Sequence, residues 1–357
     1  MKVILLAPTP PPAGGMASWT IQMLSSSLKN NWEIDLVDEK MIGGREVYGE
    51  GAKRNNWNEA KRCFSIWSRL VKKIKNDKVT VVHCCIPSLP LSMLREYVSA
   101  ILTKLYKKKF IIHFHCTVPN TTKGKIAHFL LKRICNKSDC IIVLNEQTRL
   151  YLESIAKTEV RVIPNFIEED QVAKSRIVNE TTKKVLYVGG VIESKGVLQI
   201  IEVAKSFPQI EFRLVGRADE AIQRSTLKIA NVVFTGEKTA KEVAKELDSA
   251  DVFMFLSHYP GEGFSIALTE AMAAGLPCIV TDWAANGDMI DDGIGGFVVP
   301  VGDIGAVIEA MKKIQSAEIR AAQSKHNIKK VKQHYIASKV KAMYVDAYEQ
   351  CLKKEEA

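Results

Sequence analysis

The sequence predicts an α/β protein built from two doubly wound, parallel-sheet domains. Near-continuous apolar runs recur along the chain, among them KVILLAP, FIIHFH, KVLYVGG and DVFMFL. Strands covered on both faces require such runs. Segments of helical periodicity alternate with them, which argues for crossover units and a parallel sheet. The 357 residues are enough for two separate cores.

Composition narrows the class. Hydrophobic content of 46% and charged content of 25% are ordinary for a globular protein. The apolar run after Met1-Lys2 is too short for a signal peptide, and no stretch approaches membrane-span length. The eight cysteines form no CxxC pair and sit mostly in apolar contexts. They read as reduced core cysteines of a cytoplasmic protein, with neither a disulfide framework nor a zinc site. The net charge of +10 is uneven: residues 1–165 carry +13 and residues 166–357 carry −3. The basic half suits a membrane surface or an acidic acceptor. No aromatics are interleaved with the basic residues in a nucleic-acid motif, so nucleic acid is not expected as a partner.

The chain opens with the strand KVILLAP, the loop TPPPAGGMAS and a helix over about 16–28. Gly14 and Gly15 before that helix form a generic phosphate or ligand loop. Strands follow at 32–37, 79–84, 110–115 and 140–145, with helices at about 57–75, 91–107, 123–136 and 146–156. His113 and His115 lie at a strand's carboxyl end, where ligands bind in such sheets. Alternation puts both on one face, with His115 nearer the exit. A histidine here either orients a sugar or acceptor or is structural. The helical stretches 102–110 and 123–137 set apolar residues beside lysines and arginines, as a helix on an anionic bilayer or a solvated covering helix would.

VRVIPNFIEED ends the first half, and a polar, irregular segment follows it. The predicted domains are therefore 1–168 and 169–335, with a final amphipathic helix over 336–357. KVLYVGG opens the second set of units, and its exit loop VIESKG carries Lys195 just before a helix. A cation there is locally unfavourable, so Lys195 either points to solvent or faces an anion. Strands at 211–216 and 231–236 follow, the first leaving through LVGRADE with Arg217.

The stretch around which the chain is organised is DVFMFLSHYPGEGFSIALTEAMAAGLPCIVTD, residues 251–282. It reads as a buried strand, a loop from His258 to Ser265, a helix capped by Ser265, a stop at Gly275 and Pro277, and a new strand. The N–H groups of Gly263, Phe264 and Ser265 at the helix N-terminus favour an anion. Glu262 stands beside them. Glu270 is eight residues on, which at helical spacing would put both carboxylates on one side. A phosphate cradle flanked by two carboxylates suits a nucleotide sugar. The plainer reading makes Glu262 a loop charge and Glu270 an exposed helix residue.

GEGFSIALTEAMAAGLPCIVTD resembles the EX7E motif, with its usual flanks, of glycosyltransferase family 4, the retaining GT-B enzymes. The fainter resemblance covers nearly the whole chain. It implies two Rossmann-like domains facing a cleft, acceptor-binding first and donor-binding second, with a C-terminal helix crossing back to the N-terminal domain. It implies a hexosyltransferase of retaining mechanism that needs no metal or other cofactor, in which domain closure excludes water. In the resemblance Glu262 positions the sugar, Glu270 binds the ribose and Lys195 holds the donor diphosphate. Gly14 and Gly15 lie near the donor phosphates and acceptor, and His115 matches a family histidine. Asn145-Glu146 stand at the place of a Ser-Glu pair, and Pro164-Asn165 at the interdomain turn. FTGEKT, with Gly236, matches the loop near the nucleobase. Gly190 replaces a family arginine, a departure for which Arg217 is a candidate substitute.

The expected partners are thus a nucleotide-diphosphate sugar and a saccharide or polyprenyl-diphosphate-linked acceptor. An anionic membrane is the expected surface, placing the protein peripherally at the inner face of the plasma membrane. The expected process is bacterial surface polysaccharide synthesis. Two rival readings are a sugar-nucleotide epimerase of the same fold and a non-catalytic partner in a polysaccharide assembly complex.

Overall fold

The computed structural model describes residues 1–11, 14–25, 28, 31–40 and 56–353. Parts of two expectations, the loop 9–18 at positions 12–13 and the first helix at positions 26–27, lie outside the described residues, as does the end of the terminal helix. The chain forms two compact units, 1–165 with 338–357 and 166–337.

The first unit runs β1 (Lys2–Ala7), α1 (Gly15–Ser25), β2 (Glu33–Asp38), α2 (Asn56–Ile74), β3 (Val79–Ile86), α3 (Pro90–Leu105), β4 (Lys109–Phe114), α4 (Val118–Thr121), α5 (Lys125–Lys137), β5 (Cys140–Val143), α6 (Glu146–Glu153) and β6 (Val160–Val162). Its sheet is parallel, in the order β2-β1-β3-β4-β5-β6. Alternation along the strands divides the two faces. Ile4, Leu6, Cys84, Ile86, Ile112 and Phe114 share one core with Ile66, Leu70, Met93 and Leu131 of α2, α3 and α5. His83 and His113 face the other way, against Trp19 of α1.

The second unit runs β7 (Lys184–Val188), α7 (Val197–Lys205), β8 (Glu211–Val215), α8 (Glu220–Ser225), β9 (Val232–Gly236), α9 (Ala240–Ser249), β10 (Val252–Phe255), α10 (Ile266–Ala273), β11 (Cys278–Thr281), α11 (Asn286–Met289), β12 (Gly296–Val299), α12 (Ile304–Lys313) and α13 (Ala317–His334). Its sheet is parallel as well, in the order β12-β11-β10-β7-β8-β9. The last helix, α14 (Ala337–Lys353), belongs almost wholly to the first unit. There Trp19 Nε1 donates to the Tyr344 hydroxyl at 3.2 Å.

In each sheet the strand order reverses once, between β1 and β3 and between β7 and β10. Loops leaving the carboxyl ends of strands on either side of a reversal diverge and leave a crevice, which is where open α/β sheets bind ligands.

The second strand begins one residue later than the run WEIDLV suggested. Trp32 is instead buried beside Tyr348, with ring centroids 5.2 Å apart. No helix among the described residues is long and apolar enough to cross a membrane. All eight cysteines are free thiols, and only Cys63 is not fully buried.

Candidate active site

The switch point of the second sheet brings two candidate residues together. The exit loop of β7 carries Lys195 and that of β10 carries Glu262. Lys195 Nζ donates to Glu262 Oε2 at 2.6 Å. The same oxygen accepts from Ser257 Oγ at 2.8 Å. The Lys195 ammonium also lies 4.8 Å from the ring centroid of Tyr259 and 5.7 Å from that of Phe255, a cation–π distance in both cases. A lysine at this site therefore does not drift in solvent, because a carboxylate and two rings fix its charge.

The loops that hold the pair are tightly fitted. Glu193–Lys195 form a 3₁₀ turn that ends on Gly196, whose φ of 74° is left-handed. A Cβ at Gly196 would stand 2.0 Å from the Leu256 carbonyl oxygen, so only glycine lets the two exit loops approach. His258 N–H donates to the Ser194 carbonyl at 2.9 Å and joins the loops directly. Trp283 Nε1 donates to the Tyr259 carbonyl at 2.8 Å. Tyr187, fully buried, donates its hydroxyl to the Gly190 carbonyl at 2.8 Å. Ser257, Tyr259, Tyr187 and Trp283 were not singled out from the sequence. Only the fold shows what they touch.

Ser265 caps α10, its Oγ accepting from Leu268 N–H at 3.2 Å. The Gly263 carbonyl accepts from Ala285 N–H at 3.2 Å. Phe264 is buried edge-on against Tyr335, with ring centroids 5.2 Å apart. One expectation needs correcting. Glu262 precedes the cap and is a loop residue, so helical spacing does not relate it to Glu270. The sequence reading carried the helical period back across a loop that does not have it. Glu270, on α10, is half-buried, and burial pushes its carboxyl up to about 7.

Arg217 is exposed on the exit of β8. Its carbonyl accepts from Val191 N–H at 2.9 Å, which places its backbone beside the Gly190 position. Gly236 is exposed, and its carbonyl accepts from Gly216 N–H at 2.9 Å.

In the first unit, His115 leaves β4 into an aromatic cluster. Its ring lies 3.9 Å from that of His113 and 5.0 Å from that of Trp19. His113 Nδ1 meets His83 Nε2 at 3.2 Å, and His83 Nδ1 meets the Tyr348 hydroxyl at 2.7 Å. Burial lowers His83 and His115 to about 3 and His113 well below its usual value, so all three rings are neutral at pH 7. Gly14 and Gly15 line a cavity at the other switch point, that of the first sheet. Asn145 caps α6, accepting from Thr148 N–H at 2.9 Å, and Glu146 pairs with Arg149 on the surface.

Two buried groups among the described residues bring three metal-ligating side chains together, His83 with Cys85 and His113, and Glu39 with Cys84 and Glu96. Both belong to the first unit. In the second unit Asp291 is paired with Lys330 and His326, and Asp292 accepts from Val298 N–H.

A family model described as glycosyltransferase family 4 matches residues 13–171, and one described as glycosyl transferases group 1 matches residues 168–331. The chain belongs to glycosyltransferase family 4, with the GT-B fold. It is similar to a phosphatidyl-myo-inositol mannosyltransferase of Mycobacterium leprae, 25% identical over 78% of this chain and 75% of that one. It is also similar to the amylovoran biosynthesis glycosyltransferase AmsK of Erwinia amylovora, 30% identical over 38% of this chain and 36% of that one. The structure of Anabaena HepE in complex with UDP superposes with a TM-score of 0.75 at 13% identity, covering 98% of this chain and 100% of that one.

Proposed function

We propose that this glycosyltransferase takes its sugar from a nucleotide-diphosphate sugar bound by the second unit and transfers it, with retention of anomeric configuration, to a saccharide or lipid-linked saccharide. The observation that carries the reading is the Lys195–Glu262 pair held across the switch point. The UDP complex of HepE and the mannosyltransferase and polysaccharide names of the relatives support it. In the ligand-free protein Glu262 neutralises Lys195. A diphosphate draws the ammonium to itself and releases Glu262 to accept sugar hydroxyl hydrogen bonds. As the sugar leaves, charge grows on the diphosphate, and Lys195 with the N-terminus of α10 stabilises it. No metal is assigned a part. The departing phosphate is the base for the acceptor hydroxyl, and neutral His115 contacts the acceptor. The test is a melting-temperature screen with UDP-, GDP- and ADP-sugars, followed by NMR of the product anomer. No shift with any of them would favour a non-catalytic partner. Isomerisation of the donor without transfer would favour an epimerase.

Glu270 gives this reading a pH dependence. Its neutral carboxyl must lose a proton to accept hydrogen bonds from both ribose hydroxyls. With a folded-state value raised to about 7, affinity for a nucleotide sugar rises between pH 6 and 8. Glu270→Gln flattens that rise. Glu270→Ala costs about 1.5–3 kcal/mol of binding while turnover at saturation changes less. Calorimetry that finds unchanged affinity in Glu270→Ala removes the ribose role.

The membrane surface belongs to the same proposal. Trp57 and Phe64 of α2 and Ile126 and Phe129 of α5 are exposed. Lys61, Lys125 and Arg133 stand among them, with Lys61 over the Trp57 ring and Arg133 over the Phe129 ring. Flotation with anionic liposomes is expected at low salt, falling as salt rises. Equal flotation with neutral liposomes would remove the electrostatic part.

A further inference from the structure

A cavity of about 510 Å³ lies wholly within the first unit, at the carboxyl ends of β1, β2 and β3. That is the first sheet's switch point, and the volume suits a small ligand. The Thr9 hydroxyl and N–H both donate to the Asp38 carboxylate, at 2.6 and 3.1 Å, and tie the exits of β1 and β2 together. Pro11, Met16, Cys63, Trp67, Leu91 and Leu94 make the wall mainly apolar. Leu91 and Leu94 of α3 line the cavity and are also 60% and 49% exposed, so its apolar wall reaches the surface along α3. The Phe64 ring stands exposed on the neighbouring turn of α2.

The charged groups of the wall differ in what they have left to offer. Arg95 is spent: its Nη2 pairs with Glu39 at 2.8 Å and its Nε with Glu96. Burial raises the Glu39 carboxyl well above its usual range, which weakens repulsion of an anion there. Arg62 gives Nη1 to Glu59 at 3.1 and 3.2 Å, while its Nε is buried with no partner. Lys40 and Glu59 line the wall as well. An apolar chain carrying an anion would satisfy both its apolar part and its unspent guanidinium.

We propose that this cavity binds the hydrocarbon chain of a phosphorylated lipid, which enters along α3 and places its phosphate on Arg62. The inference rests on the reading of the first unit as the acceptor side and gives that acceptor its chemical class. A prenyl phosphate and an acyl phospholipid share this chemistry, and the test separates them.

The test is calorimetric titration of the full chain with farnesyl phosphate, dihexanoyl phosphatidylglycerol, farnesol and inorganic pyrophosphate, each below its aggregation limit. One or both phosphorylated chains should bind. Preference for farnesyl phosphate identifies a prenyl-linked acceptor, and preference for the phospholipid identifies a bilayer lipid. Farnesol should bind about tenfold more weakly than its phosphate, the worth of one charge-assisted hydrogen bond. Any binding of pyrophosphate should be unchanged by Arg62→Gln. Arg62→Gln should bring farnesyl phosphate down to the level of farnesol. Ala60→Phe, from α2, and Ser92→Phe, from α3, should each fill the cavity and abolish binding while the response to a nucleoside diphosphate stays. The second of these serves if the first fails to fold. Absence of binding by both phosphorylated chains, or binding that survives both filling substitutions, would overturn the proposal. Lipid binding in a protein that answers no nucleotide would leave the cavity standing and sink the transferase donor site instead.

Discussion

Lys195→Ala should lose about 10²–10³ in turnover with a saturating donor, as removal of one preorganised electrostatic contact does. The protein should stay folded. Glu262 keeps its hydrogen bond from Ser257, so loss of the ammonium costs the fold only about 1–3 kcal/mol. The effect falls on rate because the charge that Lys195 meets grows as the sugar departs. If Gly190 takes the place of a family arginine, as the resemblance implies, the upper part of the range is expected. Arg217 has its backbone beside that position and its side chain exposed. If it supplies the missing charge, Lys195→Ala with Arg217→Ala loses far more than Lys195→Ala alone. Near-normal turnover in both variants would leave the donor site resting on the Glu262 loop.

Acid should unfold the first unit through its histidines. His83, His113 and His115 have folded-state values depressed below the unfolded 6.5, because burial penalises the charged ring first. Their contribution is complete above pH 6.5 and is lost as pH falls toward 3. For His83 alone the full loss is about 5 kcal/mol, comparable to the net stability of a domain. Neighbouring Tyr344, Tyr348 and Cys85 are all raised by burial and stay neutral through this window. Melting temperature should therefore start to drop near pH 6, before ordinary carboxylates titrate. His115→Phe keeps the ring contacts to Trp19 and His113 and removes one protonation site, so its acid limb should be shallower. An unchanged limb would place the acid sensitivity elsewhere.

The loop around Glu262 was legible in the sequence because its chemistry is local: a strand, two glycines, a carboxylate and a capped helix within a few turns of chain. The alternating apolar runs likewise carried the fold class, since a doubly covered parallel sheet leaves few other patterns. Lys195 was legible as a charge in an awkward place that points to solvent or faces an anion, but Glu262 as the carboxylate it meets came only from the fold. The histidine cluster was half legible. Strand alternation paired His113 with His115, but His83 meets Tyr348 across 265 positions of chain, and nothing local announces that. The cavity was invisible for the same reason. Glu39, Arg62 and Arg95 come from three separate stretches of chain, the exit of β2, α2 and α3. The misreading of Glu262 and Glu270 as helical neighbours arose where a loop was given a helix's period.

The central claim is that the second unit holds a nucleotide diphosphate at Lys195. Titration calorimetry of the wild-type protein and Lys195→Ala with UDP, GDP and ADP tests it most directly, since a nucleoside diphosphate carries the leaving group's full charge. At least one of the three should bind the wild-type protein and bind Lys195→Ala at least tenfold more weakly. Binding of equal strength to both proteins, or no binding of any of the three to the wild-type protein, would contradict it.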